Sequence, residues 1–140
     1  MNIHYEKNVL TADEFLALRE SVGWTGVRNQ IEQALKCGLY NIVCKNGDEV
    51  VGMGRLVGDG VLYWYVQDVI VKPQYQGSGI GKTIMQHLTT YVEKHSLPDT
   101  TVTIGLMSAY GKTEFYEKLG FIARPTEIYG PGMIKHHKIP

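Results

Sequence analysis

Cysteine is scarce in this chain. Cys37 and Cys44 are its only two, they form no C-x-x-C pair, and they make no disulfide framework for 140 residues. That points to a reducing compartment. Charge shows no excess of either sign: 14 basic residues face 14 acidic ones, which leaves no long-range field to gather nucleic acid or an anionic membrane. No apolar run approaches the ~20 residues of a membrane span, and Met1-Asn-Ile-His-Tyr-Glu-Lys7 has no apolar stretch of signal-peptide length. The expectation is a cytoplasmic protein with neither nucleic acid nor membrane as a partner. Zinc spacing is missing too. The adjacent His136 and His137 point to opposite faces of a strand, so no metal is expected. Repeats, low-complexity tracts and linkers are absent. One domain over residues 1–140 follows, large enough to bury about two thirds of the surface its unfolded chain exposes.

Glycine is plentiful, and three glycines fall within Gln76-Gly-Ser-Gly-Ile-Gly-Lys82. Upstream, Val61 to Val71 is almost continuously apolar or aromatic and stops at Lys72-Pro73, where proline removes a ladder donor. Downstream, Ile80, Ile84, Leu88 and Tyr91, with Met85 and Val92 beside them, recur at helical spacing. Gly77, Gly79 and Gly81 permit positive φ and close approach to bare backbone, so the N–H groups from 76 into the helix can converge on one oxygen-rich group. The helix N-terminus adds its partial positive charge. Lys82 in that first turn opposes the macrodipole by about 0.3 to 1 kcal/mol, a sign that a bound polyanion reverses. Two familiar phosphate loops do not fit. Gly81-Lys82-Thr83 ends a P-loop pattern whose first glycine is replaced by Gln76. The dinucleotide fingerprint fails at Lys82 or at Ile84, depending on where counting starts.

In chain order, Ile3 to Glu6 reads as a strand, and Thr11 with Glu14 as a capping box that opens a helix from Ala12 to about Ser21. Trp24 lies in a connection, and Val27, Ile31, Ala34 and Leu35 predict a second helix ending near Gly38. Asn46-Gly47 and Asp59-Gly60 are hairpin signals between apolar runs. They predict a meander of Leu39 to Lys45, Glu49 to Val57 and Val61 to Val71, with Gly52 and Gly54 marking a bulge or a crowded face. After the glycine loop and its helix, Thr101 to Leu106 alternates as a strand parallel to the meander's last. A helix carrying Lys112, Phe115, Tyr116 and Leu119 ends at Gly120. Phe121 to Arg124 and Met133 to His137 are expected as two final strands.

Gln76, Gly79 and Gly81 match [QR]-x-x-G-x-[GA], the pyrophosphate-binding signature of the GNAT superfamily of N-acetyltransferases. The preceding strand end Asp68-Val-Ile-Val-Lys-Pro and the later Phe115-Tyr-Glu-Lys-Leu-Gly-Phe121 also resemble that family. The likeness is strongest from Val61 to Phe121. It implies an α/β (α+β) fold: one domain with a mixed, mostly antiparallel sheet of six to seven strands, splayed at its centre and flanked by about four helices. It implies acetyl-coenzyme A as co-substrate, with its pyrophosphate on Gln76, Gly77, Ser78, Gly79, Ile80, Gly81 and Lys82 and its arm along Val69, Ile70 and Val71. It also implies pairing of two copies into a homodimer. Tyr116 matches the tyrosine that donates a proton or hydrogen bond to the coenzyme A sulfur. Many family members carry Asn six residues before the Phe, where this chain has Ala109. Ser108 or Tyr110 is then left to bond the pantetheine arm, and Lys112 to reach a phosphate.

The chemistry of amide formation tests these assignments. A primary ammonium titrates near ~10.4, so a base or water chain must remove its proton. Asp68 is the one carboxylate in the most apolar strand, where burial would raise its pKa; strict alternation places it on one face with Val66 and Trp64. It is the candidate to bind or deprotonate the amine, against a purely structural role bonded to neighbouring backbone. Trp24 and Tyr65, with Tyr63 and Trp64, are candidates for an aromatic acceptor wall. Complete proton transfer from a phenol near ~10 to a thiolate near ~8.5 is uphill by about 2 kcal/mol, so for Tyr116 a hydrogen bond to the developing thiolate is the firmer expectation. The leading function is acetyl transfer to a primary amine of a small molecule by direct attack in a ternary complex, since neither cysteine falls in the motifs. The alternatives are a non-catalytic acyl-CoA sensor or scaffold and, on weaker grounds, a phosphotransferase.

Overall fold

The computed structural model describes every residue from Met1 to Pro140, in two compact units, Met1–Leu106 and Met107–Pro140. The first holds β1 (Ile3–Lys7), α1 (Ala12–Ser21), α2 (Arg28–Cys37), β2 (Tyr40–Asn46), β3 (Glu49–Gly58), β4 (Tyr63–Val71), α3 (Ile80–His95) and β5 (Thr103–Gly105). The second holds α4 (Thr113–Glu117). The sheet runs β1-β2-β3-β4-β5, antiparallel as far as β4, and β5 lies parallel to β4.

Local chemistry sets most boundaries. The capping box closes as predicted: Thr11 Oγ1 accepts from the Glu14 N–H at 3.2 Å and Glu14 Oε1 accepts from the Thr11 N–H at 2.9 Å. Gly47 turns the first hairpin with φ of 60°. The second turn is longer than Asp59-Gly60 implies. The Asp59 carboxylate accepts from the N–H groups of Val61, Leu62 and Tyr63 at 2.7, 2.8 and 2.9 Å, and β4 therefore starts at Tyr63. In the second unit the N–H groups of Gly120 and Phe121 bond to the carbonyls of Glu117 and Tyr116 at 3.0 and 3.2 Å. These are the two hydrogen bonds of a Schellman stop, with Gly120 at φ of 95°.

Alternation along the strands gives the sheet two apolar faces. Phe15 and Leu18 of α1 and Ile31 of α2 pack with Val43, Val50, Met53 and Ile70 on one. On the other lies α3, close enough that a Cβ on Gly54 would stand 2.6 Å from Ile84 and 3.1 Å from Leu88, and one on Gly52 3.2 Å from Ile84. The glycine pair in β3 thus marks a crowded face.

Three expectations need correction. Phe121 to Arg124 and Met133 to His137 are not strands, so the sheet has five strands instead of six or seven. Their β-branched and aromatic character records suitability for a pleated, half-buried surface; here Ile122 and Met133 are exposed and pair with no strand. The strand expected from Thr101 to Leu106 forms only over Thr103–Gly105. Alternation also fails at Asp68. Gln67 pairs with Arg55 and Ile70 with Met53, so Asp68 and Val69 together oppose Gly54 in a bulge, with Asp68 at φ of 52°. The extra residue removes Asp68 from the face of Trp64 and Val66 and turns its carboxylate toward α1.

Candidate active site

At the start of α3 the chain offers bare donors. Gly79 is the N-cap, left-handed at φ of 87°, and neither a side-chain cap nor an acidic residue serves the first turn. The first N–H groups of a helix have no partner within it. Gly77 has φ of 82°, and a Cβ at either glycine would meet nothing within 4 Å, so the loop faces open space. Its surroundings are tied down. Gln76 Nε2 donates to the Val71 carbonyl at 2.9 Å, Ser78 Oγ to the Tyr75 carbonyl at 2.7 Å, and Thr83 Oγ1 to the Gly79 carbonyl at 3.1 Å. Gln76, Ser78 and Lys82 are exposed, Gly81 half-buried and Ile80 buried in the core. Uncapped backbone N–H groups at a positive helix end that faces open space fit a diphosphate.

Beside it, the sheet opens. β5 pairs with β4 only from Tyr63 to Tyr65, so the edge of Val66–Val71 turned away from β3 has no strand against it. Ile70 packs in the core, while Val69 and Val71 are half-buried.

Asp68 is held by two guanidinium groups. Its Oδ1 accepts from Arg19 Nη1 at 2.8 Å and its Oδ2 from Arg55 Nε at 3.0 Å. The side chains of Asp68, Arg55 and Arg19 are 11%, 14% and 28% exposed. Arg55 lies over the Phe15 ring, 5.3 Å from its centroid, and Arg19 over Trp24 at 5.5 Å. Arg19 Nε also donates to the Thr25 carbonyl at 2.8 Å, which pins the α1–α2 connection. Asp68, Arg19, Arg55 and Thr25 border a cavity of about 590 Å³ whose apolar wall includes Phe15, Ile31 and Ala34. Trp24 therefore reaches Asp68 through Arg19. Tyr65 does not join them: its ring covers Gly105, where a Cβ would stand 3.0 Å from it.

Arg19 and Arg55 were missed in the sequence, although each leaves a trace there. Arg55 is the one charged residue of β3 after its first, Glu49, and Arg19 sits one helical turn after Phe15 on the packed side of α1.

In the second unit, Tyr116 packs edge-on to Phe115 and Phe121, at centroid distances of 5.0 and 5.9 Å. Burial pushes its phenol above 10.0. Lys112 and Tyr110 are exposed, and Ser108 Oγ lies 3.1 Å from Thr113 Oγ1.

Known proteins agree with this architecture. The family description Acetyltransferase (GNAT) domain matches residues 38–123. The acetyltransferase SP0256 of the GNAT family from Streptococcus pneumoniae is 31% identical with a TM-score of 0.81, covering 98% of this chain and 99% of its own. The probable acetyltransferase SA2161 from Staphylococcus aureus is 29% identical with a TM-score of 0.85, over 96% and 99% of the two chains. Among curated relatives, the uncharacterized N-acetyltransferase ycf52 of Porphyra purpurea is 30% identical over 122 residues, 84% of this chain and 68% of that protein. The chain belongs to the GNAT family of acetyltransferases. No helix is long and apolar enough to cross a membrane.

Proposed function

We propose that this acetyltransferase moves an acetyl group from acetyl-coenzyme A to the primary amine of a small molecule, by direct attack in a ternary complex. The observation that carries this reading is the uncapped, open start of α3 beside the unpaired edge of β4. Gln76, Gly77, Ser78, Gly79, Ile80, Gly81 and Lys82 are assigned to the diphosphate and Val69–Val71 to the arm. Bound acetyl-coenzyme A supplies a thioester whose acyl carbon forms a bond to the amine nitrogen as its bond to sulfur breaks. A backbone N–H within Val69–Val71 is assigned to the acyl oxygen, a role worth about 3 kcal/mol in comparable sites. Tyr116, by the motif around it, is assigned to donate a hydrogen bond to the departing sulfur, while Tyr110 and Lys112 are kept as further contacts to the cofactor. Asp68 keeps a second lone pair on each oxygen, with which it accepts from the acceptor's amine, and water carries the proton away. Trp24 is kept as a candidate acceptor contact beside Arg19, whereas Tyr65, which packs on Gly105 and does not line the cavity at Asp68, is not. Pairing of two copies also stands as a proposal, supported by the exposed Ile122, Ile128, Met133, Ile134 and Ile139, and light scattering tests it.

The direct test follows free thiol with acetyl-coenzyme A and a panel of primary amines. Amine-dependent release is expected. Tight cofactor binding with no release for any amine would make the chain an acyl-coenzyme A sensor instead.

A further inference from the structure

The cavity bordered by Asp68 has a definite charge balance, and that balance selects its occupant. Among its lining residues the charged side chains are Arg19, Arg55 and Asp68, two cations against one anion. An acceptor carrying only an ammonium would add to the positive surplus. Neither Nη group of Arg55 donates a hydrogen bond within the chain; its Nε is spent on Asp68, and its guanidinium carbon lies 5.3 Å from the Phe15 ring centroid. Arg19 has committed Nε and Nη1 and keeps Nη2. Planar N–H donors of this kind match a carboxylate with two parallel hydrogen bonds. The surplus of one positive charge suits a monoanion better than a dianion. The remaining lone pairs of Asp68 lie beside the same arginines and accept from an ammonium. The cavity volume, about 590 Å³, accommodates a small molecule, and Phe15, Ile31 and Ala34 offer it an apolar wall.

We infer that the acceptor is a small amino acid-like zwitterion, its carboxylate on Arg55 and Arg19 and its amine at Asp68. This rests on the reading of the cavity as the acceptor end of a transferase, yet it can be tested by binding alone. The experiment is isothermal titration calorimetry of the full chain, saturated with coenzyme A, against the twenty amino acids and their carboxamides. The carboxamides keep the size and lose the anionic group; because their amine titrates lower, at ~8, the titrations are run at about pH 6, where the amine of both members of each pair is charged. At least one amino acid is expected to bind tenfold or more tightly than its carboxamide. Arg55→Gln should abolish that preference, and Arg55→Lys, which retains a cation beside Asp68 and so guards against misfolding, should reduce it severalfold. Coenzyme A affinity should be unchanged in both. The proposal is overturned if no amino acid outranks its carboxamide, or if the preference survives in both variants. If amino acids bind with the expected preference and no thiol is released, the transferase reading fails while the zwitterion site stands. If amines lacking a carboxylate turn over and amino acids do not bind, the reverse holds.

Discussion

Replacing Asp68 with Asn separates its charge from its shape, because Asn tolerates the left-handed φ of 52° as well as Asp does. What is lost is the anion between Arg19 and Arg55, at 2.8 and 3.0 Å. Hydrogen bonds to charged groups contribute about 1.5 to 3 kcal/mol, so Asp68→Asn should lower stability by about 2 kcal/mol in urea unfolding. An unchanged midpoint would mean the ion pairs hold nothing. Lys82 offers a sharper test, since two effects there have opposite signs. A carboxylate in the first turn of α3 complements the macrodipole, so Lys82→Glu should stabilise the free protein by about 0.3 to 1 kcal/mol. The same change should weaken coenzyme A binding by about tenfold, roughly 1.4 kcal/mol. Affinity that did not move would remove Lys82 from the phosphate site. On the role proposed for Tyr116, a hydrogen bond made mainly to the developing thiolate, Tyr116→Phe should lower kcat about tenfold to a hundredfold with KM little changed. Because burial raises the phenol above 10.0, the donor stays protonated throughout the neutral range. An alkaline limb near pH 8 that disappeared in Tyr116→Phe would contradict this.

The elements readable in the sequence were those written by local rules. The capping box of α1, the stop at Gly120 and the glycine start of α3 each depend on a few consecutive residues, and each formed. The bulge at Asp68 depends on how β4 aligns with β3, which no run of neighbouring residues encodes, so alternation assigned the wrong face. The arginine pair was hidden for the same reason: Arg19 and Arg55 meet only once α1 lies across the bulged strand. The two strands expected after Gly120 had the right composition and no strand to pair with. Packing of α3 on β3 gives a graded test of what the fold added. Overpacking costs about 1 to 3 kcal/mol. Gly54→Ala, whose Cβ would meet Ile84 at 2.6 Å, should lie at the upper end, and Gly52→Ala, with its nearest contact at 3.2 Å, at the lower. Equal midpoints for the two variants in urea would show that α3 shifts freely on the sheet.

Over the whole molecule, ionisation sets the window in which these contacts hold. On the alkaline side, burial raises the Cys44 thiol and the phenols of Tyr5, Tyr40 and Tyr116. A group whose folded pKa exceeds its unfolded one binds more protons when folded, so its contribution is complete below the unfolded value and fades as pH rises through the folded one. The decline should begin with Cys44, above its ordinary 9.0, and steepen past 10.0 as the phenols follow. On the acid side, Lys45 holds the Glu6 carboxyl below its usual range, Arg28 that of Asp13, and the backbone N–H groups of Tyr63, Val61 and Leu62 that of Asp59. Their contribution is complete above about pH 5 and lost as pH falls through the depressed values. The thermal midpoint should therefore form a plateau from about pH 5 to pH 8, measurable by calorimetry across a pH series. Cys44→Ala would leave a small cavity and lower that plateau, yet it should move the onset of the alkaline decline upward, toward the phenols. Identical onsets in the two proteins would assign the decline to tyrosine alone. Balanced formal charge, 14 against 14, adds a consequence of opposite sense: self-association is least opposed near neutrality, so the pH of greatest thermal stability should also be close to that of lowest solubility.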